Sequence, residues 1–370
     1  MIRIPDDIKQ GRRWVDRETQ RLDPDIDYAR IMSMVAQYQM DEFTLNFLVT
    51  LLNSYVVKPA HMAETQVFTN KAIRRPNQRM QDALNFFWTW YANGPDSPET
   101  IESVGRLNRI HAGVAKHLPH HFEDSDDFNY VLGRLVVLQD RLLKKLRLGG
   151  MNPQVKLAQF NFAKHLSRHF RRPGNREVEP FPETLVELEL FVDVWERKNH
   201  VRSPIQADLV NALIYAFGQR WFPRPLQKLG RWMATYALED DFLKHVGIQP
   251  LRGGPRVFTH TLLKAVFFYK TRLAADSKVS AYDTRVTLTR EEYKALDAAA
   301  AARANALGWH TGGKASVGLG KAAGAVCPVM HHAAPQKQAS QVQASDENSR
   351  VSASVSDTLS HAQAPSRSQA

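Results

Sequence analysis

The chain has 370 residues, 43% of them hydrophobic, with seven Trp and 18 Phe, enough for a sizeable core in one large domain. Its 49 Lys and Arg against 38 Asp and Glu leave a formal charge of +11, which suits acidic partners but says nothing about fold. The single cysteine, Cys327, excludes an intramolecular disulfide and suits a reducing compartment. No apolar stretch approaches the roughly 20 residues of a membrane span. The charged start, Met1-Ile2-Arg3-Ile4-Pro5, shows no secretory pattern, so a cytoplasmic location is expected.

In chain order, residues 1–25 read as an N-terminal extension. Helical periodicity then dominates residues 26–290. Breakers at Pro59, Pro76, Gly94-Pro95, Gly149-Gly150, Pro173-Gly174, Pro180, Pro204, Pro223 and Gly253-Gly254-Pro255 cut this stretch into about ten helices. Strand-like alternation is nearly absent, so the expected architecture is all-α, a single compact helical domain. The basic run Lys144-Lys145-Leu146-Arg147 closes one of the helices, where cations suit the macrodipole. Residues 291–310 read as a linker, or as one more helix over the Ala-rich stretch Lys294 to Ala306. Residues 311–370 are a low-complexity tail. From Gln336 onward there are no aromatic and few aliphatic residues, so too little apolar area is available to offset chain entropy, and disorder is expected.

The most informative helix begins at Ser97-Pro98-Glu99: an N-cap, a proline suited to the first turn and an acid at the positive end. It is expected to run to Leu118, where Pro119 ends it. Its stripe reads Ile101, Val104, Asn108, His111, Ala115, Leu118, which puts two polar groups on the buried face. Both then need partners. Periodicity leaves two readings of His111 open, a core histidine satisfied by a neighbour or an axial ligand to a metal or haem iron. Arg106 and Arg109, one turn apart on the other side, are suited to ion pairs or to holding a carboxylate such as a haem propionate.

The run Arg106-Leu107-Asn108-Arg109-Ile110-His111-Ala112, followed by Asp127-Phe128-Asn129-Tyr130-Val131-Leu132, resembles the haem-dependent oxygenase family of the MpaB enzyme of mycophenolic acid biosynthesis. That family includes the rubber oxygenases, or latex clearing proteins. Upstream, Arg75-Pro76-Asn77-Gln78-Arg79-Met80-Gln81-Asp82 is similar to the family's Arg-Pro-x-x-Arg-x-x-Asp segment. Downstream, Pro223-Arg224-Pro225-Leu226 and Phe242-Leu243-Lys244-His245-Val246-Gly247 resemble its closing helices. The likeness spans about residues 26–273. It implies an all-helical fold holding one haem b, with His111 ligating the iron and Arg79 on the haem's other side or near its pocket. It also implies oxidative cleavage or oxygenation of an apolar, isoprenoid-like alkene by dioxygen. Catalytic roles then fall to Arg79, Asp82, Asn108 and Arg109, with Arg79 and Arg109 fixing haem or dioxygen and Asn108 orienting the imidazole. Arg106 joins the haem contacts. Two positions depart from the pattern. Many relatives carry Thr where this chain has Ala83, and rubber oxygenases place Lys where Asp82 stands.

Other constellations are weaker. His165 and His169 share one helix face, but His-Glu-x-x-His is absent and zinc would want a third ligand. They read as half-buried histidines, or as haem-pocket groups with one on the distal side. His117, His120 and His121 flank Pro119 at a helix end and suit solvated capping. Cys327-Pro328-Val329-Met330-His331 resembles a Cys-Pro haem-regulatory motif, or is an accessible thiol in the tail. The leading expectation is an oxidoreductase using haem b, dioxygen and a small apolar substrate, without stable nucleic-acid binding. The alternatives are a basic helical protein that binds nucleic acid or another partner, and a family member without catalysis.

Overall fold

Three long helices start on the same local device, a small polar side chain that accepts a backbone N–H, followed by proline. Ser97 accepts from Thr100, Asn152 from Gln154, and Ser203 from Ile205, with Pro98, Pro153 and Pro204 at the first helical positions. Proline has no N–H to leave unpaired there, and its fixed φ suits the first turn.

The computed structural model describes residues 1–309 except Thr69 and Thr287. They are all-α. The order is α1 (Trp14–Thr19), α2 (Tyr28–Met34), α3 (Glu42–Val56), α4 (Ala60–Val67), α5 (Lys71–Arg74), α6 (Pro76–Asn93), α7 (Pro98–Ala115) and α8 (Ser125–Lys145). Then come α9 (Pro153–Ser167), α10 (Leu185–Arg197), α11 (Pro204–Trp221), α12 (Gln227–Ala237), α13 (Asp240–His245), α14 (Gly253–Phe268), α15 (Ala281–Thr284) and α16 (Arg290–Ala306). Nine of those within residues 26–290 run eleven residues or longer, close to the ten segments read from the breakers, and α16 adds a tenth beyond them. A two-residue antiparallel pair, Arg171–Arg172 with Arg176–Glu177, is the sole sheet among the described residues. The tail expected over 311–370, with its Cys327-Pro328 motif, lies outside the described residues.

Helix α3 is the buried centre, with twelve of its fifteen side chains enclosed. Helices α6, α8 and α11 pack around it. The N-terminal residues expected as an extension belong to this core. Trp14 and Val15 are fully buried, and the Val15 N–H donates to Asp276 Oδ2 at 2.7 Å. Likewise 291–310 is mostly α16, whose Ala304 and the following Trp309 are buried. A capping box, Thr289 with Glu292, starts α16.

Helix α16 also finishes α6. Arg75, at the N-cap position of α6, provides no side-chain cap. Asp297 of α16 takes that place, accepting from Asn77 N–H at 2.9 Å, Asn77 Nδ2 at 2.8 Å and Gln78 N–H at 3.2 Å. A carboxylate on the positive end of a helix is well placed. Burial raises the Asp297 pKa against these bonds. The cap fixes the start of the helix that carries Arg79 and Asp82.

Candidate functional site

On α7, Leu107, Ile110, His111 and Val114 recur in three- and four-residue steps and share one face. Little of that face is covered by protein, since Thr100 and Val104 are the helix's fully buried residues. The face lines a cavity of about 400 Å³, a volume ordinary for small-molecule sites, which span roughly 300–1,000 Å³. Phe86, Phe87 and Trp90 of α6 and Phe128, Val131 and Leu135 of α8 form apolar walls. The expected stripe therefore needs correction. Ile101 is exposed, and the working face is rotated toward Leu107 and Ile110.

His111 stands on this face. Its ring stacks on Phe122, with centroids 4.3 Å apart and planes at 16°, and meets the edge of Phe128 at 5.9 Å. Nδ1 is enclosed and has no hydrogen-bond partner. Nε2 is not among the enclosed unpartnered atoms and makes no hydrogen bond among the described residues either, and the residue lines the cavity. By surface area the residue is only half-buried, because the surface it keeps is cavity surface. Burial, and then the charge of Arg79, push its pKa down to about 4. At neutral pH the imidazole is uncharged and its lone pair is free to coordinate.

The supporting loop is strained. His120 and Phe122 have φ of 70° and 62°, the left-handed region that costs a side-chain-bearing residue about 1–3 kcal/mol. Phe122 is thereby held against the imidazole.

The polar groups of the cavity come mainly from α4, α5, α6 and α8. Arg79 Nη2 donates to Gln66 Oε1 at 3.2 Å. Burial lowers the Arg79 pKa, and Asp82 offsets part of that. Lys71 forms an ion pair with Asp82. A lysine of α5 thus reaches the Asp82 position on α6. His61 Nε2 meets Asp127 Oδ2 at 2.6 Å. Burial alone would lower the His61 pKa, but the Asp127 bond and charge outweigh it and leave the pKa raised.

Of the expected site residues, Arg79, Asp82 and His111 line the cavity together and Ala83 lies beside them. The others do not reach it. Asn108 does not orient the imidazole. Its Nδ2 donates to His169 O at 2.9 Å, and its Oδ1 accepts from Arg171 N–H at 3.2 Å, tying α7 to the end of α9. Arg106 and Arg109 are exposed, and Arg106 lies over the Phe86 ring at 5.0 Å. At 100° per residue, Arg109 points away from the Leu107–His111 face and Arg106 and Asn108 to its sides. His165 and His169 are not pocket groups. Both bind Asp96, Nδ1 of His165 at 2.8 Å and Nε2 of His169 at 2.9 Å. His121 is held by Glu64 Oε2 at 3.2 Å.

Sequence reading passed over Lys71, Gln66, Phe122 and the His61–Asp127 pair. Asp127 was within reach, since it sits in the quoted Asp-Phe-Asn-Tyr run. Lys71 and Gln66 carry no local signal. No group of three or more His, Cys, Asp or Glu able to hold a metal ion occurs among the described residues. No protein-family model matches the chain, and no curated protein matches it.

Proposed function

We propose that the chain is a haem b-dependent oxygenase acting on a small apolar alkene. The observation that carries this reading is His111, a neutral imidazole with an unclaimed Nε2 on the wall of a largely apolar cavity. A porphyrin supplies four of the iron's ligands, so one protein nitrogen is enough to hold it. The residues present fit such a group. His111 would bind the metal, Arg79 would pair with a propionate carboxylate, and the Phe and Trp rings of α6 and α8 would cover the macrocycle. Bound haem supplies the dioxygen and redox chemistry.

The chain's own residues set the conditions for that chemistry. Phe122 and Phe128 fix the plane of the His111 ring. The apolar walls hold an apolar substrate and exclude water, which strengthens every electrostatic contact inside. His61, with its raised pKa, can keep a proton at Nε2 beside Asp127. Arg79 provides a positive charge next to the imidazole.

The test is the ultraviolet–visible spectrum of the purified chain, alone and after addition of haem. A Soret band is expected, and His111→Ala should lose it with unchanged far-ultraviolet circular dichroism. An unchanged band in that variant removes His111 as the ligand, and no band in the parent chain ends the proposal. Dioxygen uptake with apolar alkenes then separates an oxygenase from a haem-binding protein without catalysis.

A further inference from the structure

Helix α14 is apolar on two faces. Thr259, Leu263 and Phe267 follow four-residue steps and are buried against the body of the protein, where α12 packs on it. Val257, Thr261, Ala265 and Phe268, with Phe258 beside them, form the opposite face and are exposed. Val257 is 66%, Phe258 53% and Phe268 46% exposed. The ridge continues into the following turn, Tyr269–Leu273, where Tyr269 and Leu273 are also exposed. A helix hydrophobic all round is normally enclosed, and a contiguous exposed apolar ridge marks an interaction surface.

The charge carried by the ridge segment itself has one sign. No Asp or Glu occurs between residues 242 and 275, a stretch with six Lys and Arg. Arg256 pairs with Asp240 and Lys270 with Asp41. The other cations near the ridge, Arg252 before the helix, Lys264 along its flank and Arg272 past its end, have no ion pair among the described residues. The local field is felt by His260, whose pKa is lowered by burial and then by Lys264, Arg147 and Arg256.

The geometry points to α14 as a docking ridge for an anionic lipid bilayer surface, with Phe258, Phe268 and Tyr269 entering the interface and Arg252, Lys264 and Arg272 meeting the headgroups. Charge complementarity selects this occupant. Aromatic and aliphatic side chains at the crest with lysine and arginine at the margins are the composition of a helix that lies in the interface plane. The helix lies on the bilayer and does not cross it, since no helix among the described residues is long and apolar enough to do so. Nucleic acid would use the cations but leave the apolar crest in water. Helix α14 contributes no residue to the His111 cavity, so this inference stands independently of the haem reading.

The experiment is flotation of the full chain with vesicles of phosphatidylcholine alone and of equal parts phosphatidylcholine and phosphatidylserine, at low and high salt. Binding to the anionic vesicles is expected, weakening with salt. Phe258→Glu combined with Phe268→Glu should reduce the bound fraction roughly tenfold or more. Lys264→Gln with Arg272→Gln should weaken it less and flatten the salt dependence. All of these changes are at the surface, and circular dichroism checks the fold. Absence of binding to anionic vesicles, or binding that survives the double phenylalanine change, overturns the proposal. A dimer in sedimentation that the same double change dissolves, without vesicle binding, assigns the ridge to a second copy and also overturns it.

Discussion

Helix α8 has two sides that treat polar groups in opposite ways. One side, with Asp127, Phe128, Val131 and Leu135, forms a wall of the cavity that holds His111. An adjoining flank, about a quarter turn round from Val131 and Leu135, buries Arg134, 1% exposed, among partners. Its guanidinium lies 3.6 Å above the Tyr55 ring. Nη2 donates to Glu239 at 3.1 Å, and Nη1 forms an ion pair with Glu196 at 3.0 Å, off the hydrogen-bond axis. The Tyr130 hydroxyl donates to Glu196 at 3.0 Å, and Arg141 holds Glu196 and Asp193. Burial opposes the Arg134 charge, yet the surrounding tyrosines and carboxylates hold it more firmly protonated than usual. Arg134 keeps two carboxylate counter-ions although its Nε and Nη1 make no hydrogen bond, and a buried charge neutralised in this way by the chain serves the fold. The His111 imidazole has neither a counter-ion nor a hydrogen bond at its enclosed Nδ1, which is the difference that the haem proposal rests on.

The contrast can be broken at each site. The largest expected effect is that of His111→Ala, which should abolish the Soret band while costing only ~1 kcal/mol of stability, since it removes a stacked ring from a cavity wall. Urea unfolding beside the absorption spectrum reads both. A large stability loss would return His111 to the core. Arg134→Ala should do the reverse. It leaves Glu196 and Glu239 without their counter-charge and should destabilise by about 3–5 kcal/mol, with haem binding per folded molecule unchanged.

Asp140, also on α8, sharpens the comparison. Its carboxylate accepts from Lys156 at 2.8 Å and Met151 N–H at 2.9 Å, and pairs with Lys144 at 2.9 Å. Burial would raise its pKa, but these partners bring it down to about 2. Folded pKa below unfolded pKa means a contribution fully present above about pH 4 and lost as pH falls toward 2. Asp140→Asn should cost about 1–3 kcal/mol at neutral pH and flatten acid unfolding across that window. The smallest effect is expected of Asp96→Asn. It weakens the half-exposed His165 and His169 pairs for about 0–1 kcal/mol and should leave the Soret band intact. A lost band would bring these histidines back to the cofactor.

The sequence was legible where one segment carries its own instructions. Ser97-Pro98-Glu99 starts α7 as expected. Gly94, at φ 88°, ends α6 where a left-handed residue is needed. Helical spacing put His111 on an inward face, but the stripe was off by part of a turn, because Leu107 and Ile110 meet a cavity and escape the burial test. Asn108 looked like the partner of His111 only because it is three residues away. Its amide is taken by a chain segment about sixty residues later.

Periodicity, caps and breakers are local, so the sequence by itself determined the all-α class, the helix starts and the inward-facing histidine. Which polar groups meet was decided only when distant segments packed. Asp297 caps a helix 220 residues before it, Asp96 gathers His165 of α9 and His169 just past its end, and Lys71 reaches Asp82. Those pairings depend on the distance between helices in space, and no spacing along the chain encodes it. The cavity beside His111 has the same origin, for it is the volume that six helices leave between them when their own side chains are packed.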